Sequence, residues 1–302
     1  MRSWALSSFM VVALASCSRD DAGPSLAWPV WSRDDGSDEP EALDVARNRA
    51  PAREVTARLD AAGTCTGPEG RTLRALVVGN SQIDYQDLPK LVGDLSQSAP
   101  AICPRIAAEP FTRNGQNLRG LWLDGDARGR KLEAVLAATK FDVVVLAESI
   151  DLVELPPPKT QFVTYATLMI DAARAAGARP VLYATPYAER EDRYGFVEMA
   201  EPQIALGKER SVTVAAGGLA WLRVWRELPS IVLHHPDHSH PGWKGSVISA
   251  MVIYAAITGA TPSTLTPPSR CWAPPCEATT PAELDVFRRA AWDEARATSL
   301  AR

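Results

Sequence analysis

The chain has 302 residues, 46% of them hydrophobic and 23% charged, enough apolar material for one sizeable core. Its formal net charge is -4 and its 32 basic residues form no long run, so no nucleic-acid partner is expected. The 24 prolines and 19 glycines gather near the N-terminus, in Pro156-Pro157-Pro158 and around residues 262–275, where they read as tethers and loops.

Arg2 precedes a short, mostly apolar stretch from Trp4 to Ala15. A bilayer-crossing helix needs about 20 apolar residues, so this stretch fits the apolar region of a signal peptide. It ends in Leu14-Ala15-Ser16-Cys17, which resembles the bacterial lipobox. That resemblance implies a diacylated Cys17 as the new N-terminus and a membrane attachment through its lipid. Ser18 in the next position implies the outer membrane of the bacterial cell envelope. The alternative is a plain secretory signal that contains a cysteine. Four cysteines remain beyond Cys17, and an even number in an exported chain points to disulfides. Cys271 and Cys276 are close in sequence and are the first choice, leaving Cys65 with Cys103, although four cysteines allow three pairings. Neither half has the C-x2-C spacing of a structural zinc site, and no metal or cofactor is expected.

Residues 18–50 are polar, acidic and rich in proline and glycine, as a flexible spacer would be. A short helix is expected over Pro51–Ala62, and the compact domain begins near Arg71. From there strands and helices alternate. Leu73–Gly79 is an apolar run ending in glycine and reads as a buried strand; Gln86–Gln97 follows with helical periodicity. Ile102–Phe111 is a weaker strand and Lys131–Thr139 a helix. Phe141–Ala147 is the clearest buried strand. Thr160–Ala176 is an alanine-rich helix stopped by Gly177, and Arg179–Thr185 a third clear strand. Glu198–Glu209 reads as helix, Ser211–Ala216 as a short strand, Leu219–Arg226, Gly242–Thr258 and Pro281–Leu300 as helices. Continuous apolar strands between helices imply a three-layer α/β/α sandwich around a central, mostly parallel sheet. Trp221 and Trp225, four apart, read as core or partner packing, whereas Trp122 and Trp243 lie nearer the crevice at the strand ends, where packing is the first reading and stacking on a sugar the alternative. No G-x-G-x-x-G or P-loop follows the first strand, so no dinucleotide or nucleoside triphosphate site is expected.

In open parallel sheets, ligands bind beyond the carboxyl ends of the strands. Gly79-Asn80-Ser81 occupies that place after the first strand, at the start of a helix whose free N–H groups favour negative charge. As an alternative, Ser81 is simply a helix cap. All four histidines fall in His234-His235-Pro236-Asp237-His238-Ser239-His240. A serine nucleophile needs an imidazole base oriented by a third group, and Asp237 and His240 at a helix entrance can supply both.

Together these blocks resemble the SGNH (GDSL-like) hydrolases. Gly79-Asn80-Ser81 is similar to their GDS block, with Asn80 in the place of aspartate. Asn114-Gly115-Gln116-Asn117-Leu118 is similar to the glycine block, and Asp237-His238-Ser239-His240-Pro241 to the D-x-x-H-P block. The resemblance runs from about residue 72 to 258. It implies Ser81 as nucleophile, His240 as base and Asp237 as its partner, with the N–H groups of Ser81 and Gly115 in the oxyanion hole. It further implies an acyl-ester substrate, small or carried on a polysaccharide. The sequence departs from the family after Phe141–Ala147, where Glu148-Ser149 stands in place of the usual asparagine block. Either Ser149 donates to the oxyanion instead, or Glu148 braces the loop. Two rival readings remain: a metal site built from His234, His235, His238, His240 and Asp237, and a non-catalytic binding protein on the same fold.

Overall fold

The computed structural model describes residues 72–98, 101–150, 152, 158–189 and 195–298. The expected signal segment, Cys17, the spacer and the Pro51–Ala62 helix lie outside these residues.

Five strands form one sheet: β1 (Thr72–Gly79), β2 (Arg105–Thr112), β3 (Val143–Ala147), β4 (Arg179–Ala184) and β5 (Thr213–Ala216). All pairings are parallel, in the order β2-β1-β3-β4-β5. Parallel neighbours need crossovers, and helices supply them on both faces. Helices α1 (Ser81–Asp84) and α2 (Leu88–Ser96) follow β1; α3 (Leu118–Asp124) and α4 (Leu132–Ala138) follow β2; α5 (Pro158–Ala175) lies between β3 and β4. The rest are α6 (Gly195–Arg210), α7 (Gly217–Glu227), α8 (Trp243–Thr258) and α9 (Pro281–Thr298). One layer groups α2, α7, α8 and α9; the other groups α3, α4 and α5. This is the three-layer α/β/α fold expected from the sequence.

Burial explains which strands were easiest to read. Every residue of β3 is buried, because neighbours flank it on both sides and helices cover both faces. The edge strand β2 keeps polar and exposed positions, including Glu109 and Pro110, as an edge tolerates. In α8, Val247–Ile257 is buried throughout because it packs against both α2 and α9. Among the described residues, no helix is long and apolar enough to cross a membrane.

The strand order reverses direction at β1: the chain first moves outward to β2, then returns to add β3, β4 and β5 on the other side. Such a switch point opens a crevice beyond the C-terminal ends of the two central strands. Ser81 follows β1 and Ser149 follows β3, so both border it.

Candidate active site

The turn after β1 is tight. A Cβ on Gly79 would lie 2.5 Å from Ile83 Cγ1 and 3.1 Å from Ala147 Cβ, so only glycine lets α1 fold back against the strand end. Asn80 caps α1, its Oδ1 accepting from Gln82 N at 3.0 Å. Its Nδ2 donates to Gln116 O at 2.9 Å. One side chain therefore fixes both Ser81 and the 113–117 turn, in which Gly115 takes a left-handed φ of 71°. Ser81 is the first residue of α1, and its N–H has no acceptor within that helix.

The histidine segment closes on itself. His234 and Pro241 form an antiparallel bridge, His235 N donates to His240 O at 2.8 Å, and Gly242 N donates to Leu233 O at 2.8 Å. Gln82 Nε2 donates to Ser239 O at 3.0 Å and ties this loop to α1. His240 Nε2 thereby lies 2.9 Å from Ser81 Oγ, and His240 Nδ1 lies 2.9 Å from Asp237 Oδ2. Asp237 Oδ1 accepts from Ser239 N at 3.0 Å and His240 N at 2.9 Å. Burial works to raise the Asp237 pKa. The two N–H donors and the His240 imidazole outweigh it and hold the carboxyl below the usual carboxylate range. A carboxylate at Nδ1 puts the ring proton there and leaves Nε2 to accept from Ser81.

The four histidines have different surroundings. His234 is buried among Phe196, Trp221 and Trp225, and its Nε2 donates to Tyr187 O at 2.8 Å. Burial disfavours its charged form and pushes its pKa down. It is a core residue, and Trp221 and Trp225 are core with it, as expected. His238 is exposed and pairs with Glu189 at 2.6 Å, with a left-handed φ of 60°. His235 lies beside Asp237, its Nδ1 3.0 Å from Oδ2. Among the described residues, no group of three or more His, Cys, Asp or Glu side chains is arranged to hold a metal ion.

On the other side of the crevice, Glu148 is only 4% exposed. Its Oε1 accepts from Leu118 N at 3.1 Å and from Ser149 N at 2.7 Å, and its backbone O accepts from Thr185 Oγ1 at 3.2 Å. It joins the end of β3 to the start of α3, so of the two roles weighed for this segment Glu148 has the bracing one. Ser149 is buried at the end of β3.

Sequence reasoning missed Tyr85. Its ring stacks on that of His240, centroids 4.6 Å apart and planes 13° apart. Its Oη lies 3.1 Å from both ring nitrogens of His235. Partial burial and the nearby Asp237 carboxylate push the Tyr85 phenol above its usual pKa. The available signal was its spacing: Tyr85 lies four residues after Ser81, where one helical turn returns to the same face.

Cys271 and Cys276 form the expected disulfide. Cys103 is also disulfide-bonded, while Cys65, its expected partner, lies outside the described residues.

No family model matches the sequence, and no curated protein matches it. Among solved structures, it is similar to a candidate SGNH hydrolase from Slackia heliotrinireducens, with 23% identity and a TM-score of 0.48, covering 61% of this chain and 97% of that one. It is also similar to an acetyl xylan esterase from Geobacillus stearothermophilus, with 16% identity and a TM-score of 0.45, covering 59% and 91%. A DUF4886 family protein from Bacteroides uniformis has 12% identity and a TM-score of 0.54, covering 74% of this chain and 94% of that one. This last likeness shows a shared fold that spans most of both chains.

Proposed function

We propose that the chain is a serine esterase of SGNH type. The observation that carries this reading is the unbroken hydrogen-bond chain Ser81 Oγ–His240–Asp237, with both links at 2.9 Å. The order of the Gly79-Asn80-Ser81, Asn114–Leu118 and Asp237–Pro241 blocks supports it, as does the position of Ser81 at the switch point of the sheet.

In this mechanism Ser81 Oγ attacks the carbonyl carbon of an acyl ester while its proton passes to His240 Nε2. Asp237 holds the imidazole and stabilises the imidazolium. The N–H groups of Ser81 and Gly115 take the negative charge on the carbonyl oxygen. The tetrahedral intermediate collapses, and His240 returns its proton to the departing alcohol. Water, deprotonated by His240, then attacks the acyl-enzyme; His240 gives that proton back to Ser81 Oγ, releasing the carboxylic acid. The side chains of His240 and Asp237 are 24% and 35% exposed. So open a site suits an acyl group on a large molecule such as a polysaccharide as well as a small ester. Attachment of the chain to the outer membrane by lipid on Cys17 is a separate proposal, supported by Arg2, the apolar run Trp4–Ala15, the Leu14–Cys17 motif and Ser18 after it, and tested by the mass of the mature N-terminal peptide.

The test uses the full chain and a fluorophosphonate probe with p-nitrophenyl acetate as substrate. The expected result is labelling and turnover in the wild type and neither in Ser81→Ala, with an unchanged circular dichroism spectrum. Equal turnover in both refutes the reading, and a folded wild-type chain that neither labels nor turns over favours a binding protein instead.

A further inference from the structure

Asp237 Oδ2 meets two imidazoles. His240 Nδ1 lies 2.9 Å away and His235 Nδ1 3.0 Å away. Only the first is needed for the mechanism above. The second ring is held on every side. Its Nε2 is 3.1 Å from Pro274 O, and a carbonyl oxygen only accepts, so that nitrogen carries a proton. Asp237 N approaches its Nδ1 at 3.3 Å. Tyr85 Oη lies against its edge, and the Tyr85 ring in turn covers the face of His240.

Pro274 belongs to the loop closed by the Cys271–Cys276 disulfide. That loop is fastened to the segment that carries Tyr85. Gln86, buried beside it, donates from Nε2 to Ala273 O at 2.8 Å, and its Oε1 accepts from Trp272 N at 3.3 Å and Ala273 N at 3.1 Å. Lys90 Nζ lies over the Trp272 ring, 4.5 Å from its centroid. A small closed loop far along the chain therefore grips both Tyr85, through its neighbour Gln86, and His235, through Pro274.

We propose that His235 is a positioning residue for the His240–Asp237 pair, and that the disulfide-closed loop 271–276 holds it there. His235 acts through its contacts with Asp237 and Tyr85. It fixes the position of Asp237 by accepting at Nδ1 from the Asp237 backbone N–H, and it fixes Tyr85, which limits tilting of the His240 ring. A hydroxyl and a base that must meet within hydrogen-bond reach lose rate when the base wanders. The proposal rests on the esterase reading above, and the experiment separates the two.

His235→Phe keeps the ring and removes its nitrogens. The expected result is a kcat lower by about tenfold, from the loss of the hydrogen bond that the Asp237 N–H gives to the ring, with KM within twofold. His235→Asn, whose amide reaches the position of Nδ1, should recover most of that loss. Replacing the disulfide with Cys271→Ser and Cys276→Ser should lower kcat in the wild-type background and lower it by clearly less in the His235→Phe background, because the path through Pro274 is already lost there and only the one through Gln86 remains. A kcat for His235→Phe within twofold of wild type, or a serine-pair effect of the same size in both backgrounds, overturns the proposal. The low-field proton resonance of His240 Nδ1–H gives a second readout that needs no turnover. It should move in His235→Phe and stay in place in a surface control such as Arg289→Gln. If it stays in place in His235→Phe the proposal fails. A wild-type chain without esterase activity, in which that resonance still moves, overturns the esterase reading and supports the coupling.

Discussion

Asp237→Asn is the sharpest test of the site. The substitution preserves shape and keeps Oδ1 as acceptor for Ser239 N and His240 N, so the loop retains both anchors. Those two bonds change from charge-assisted to neutral. The difference is on the order of 1 kcal/mol each, reduced by the side chain's 35% exposure to about 1 kcal/mol in total. The protein should therefore stay folded, with a Tm lower by only a few degrees. The second position changes sign: an NH2 donor now faces His240 Nδ1 at 2.9 Å. To avoid two opposed donors the imidazole moves its proton to Nε2, where it can no longer accept from Ser81. A serine hydrolase handicapped in this way loses about 10⁴ in kcat, or about 5.4 kcal/mol of transition-state stabilisation. Stopped-flow hydrolysis of p-nitrophenyl acetate, normalised by fluorophosphonate titration, measures it. A kcat within tenfold of wild type refutes the tautomer argument.

Other outcomes follow from the same geometry. Gly79→Ala places a methyl 2.5 Å from the buried Ile83 side chain, and should cost about 1–3 kcal/mol in urea unfolding and lower kcat by displacing Ser81. Arg223 Nε pairs at 2.7 Å with Glu294, whose carboxyl is buried between α7 and α9 and has its pKa raised by that burial. Arg223→Leu removes the hydrogen-bonded partner of this carboxyl, leaving only the more distant Arg226 charge, and should cost about 3 kcal/mol, most of it recovered in the double variant with Glu294→Leu. His234 has its pKa lowered by burial, so below about pH 6.5 the unfolded chain takes up a proton that the folded chain refuses. Its contribution to stability is complete above that pH and declines as pH falls towards the folded value; the unfolding free energy of His234→Phe should change less between pH 7.5 and 5.5 than that of the wild type.

The parts of the fold that were legible in the sequence share a physical cause. β3 and β4 are covered on both faces, so their apolar runs are continuous. β2 gave a fainter pattern because an edge strand keeps charged and exposed positions. Helix α3 was not anticipated, although Asn117 caps it by accepting from Gly120 N and Leu118 and Leu121 form its buried side. At the site, Ser81, Asp237 and His240 were legible because each stands next to a strand end or helix entrance. What distinguishes the other three histidines was not legible. Each differs by its tertiary neighbours alone: aromatic rings for His234, Tyr85 and Pro274 for His235, Glu189 for His238. The two contacts of His235 join residues 39 and 150 positions apart, and no local pattern encodes them.

The separation between Ser81 and His240, 159 positions, bears on how the chain comes to life. During synthesis the hydroxyl emerges early, with the inner strands of the sheet following it. Its base arrives only after all five strands have been made, and the clasp from 271 to 276 comes later still. A growing or prematurely ended polypeptide that stops short of the 234–240 segment thus carries the Ser81 hydroxyl without its imidazole partner.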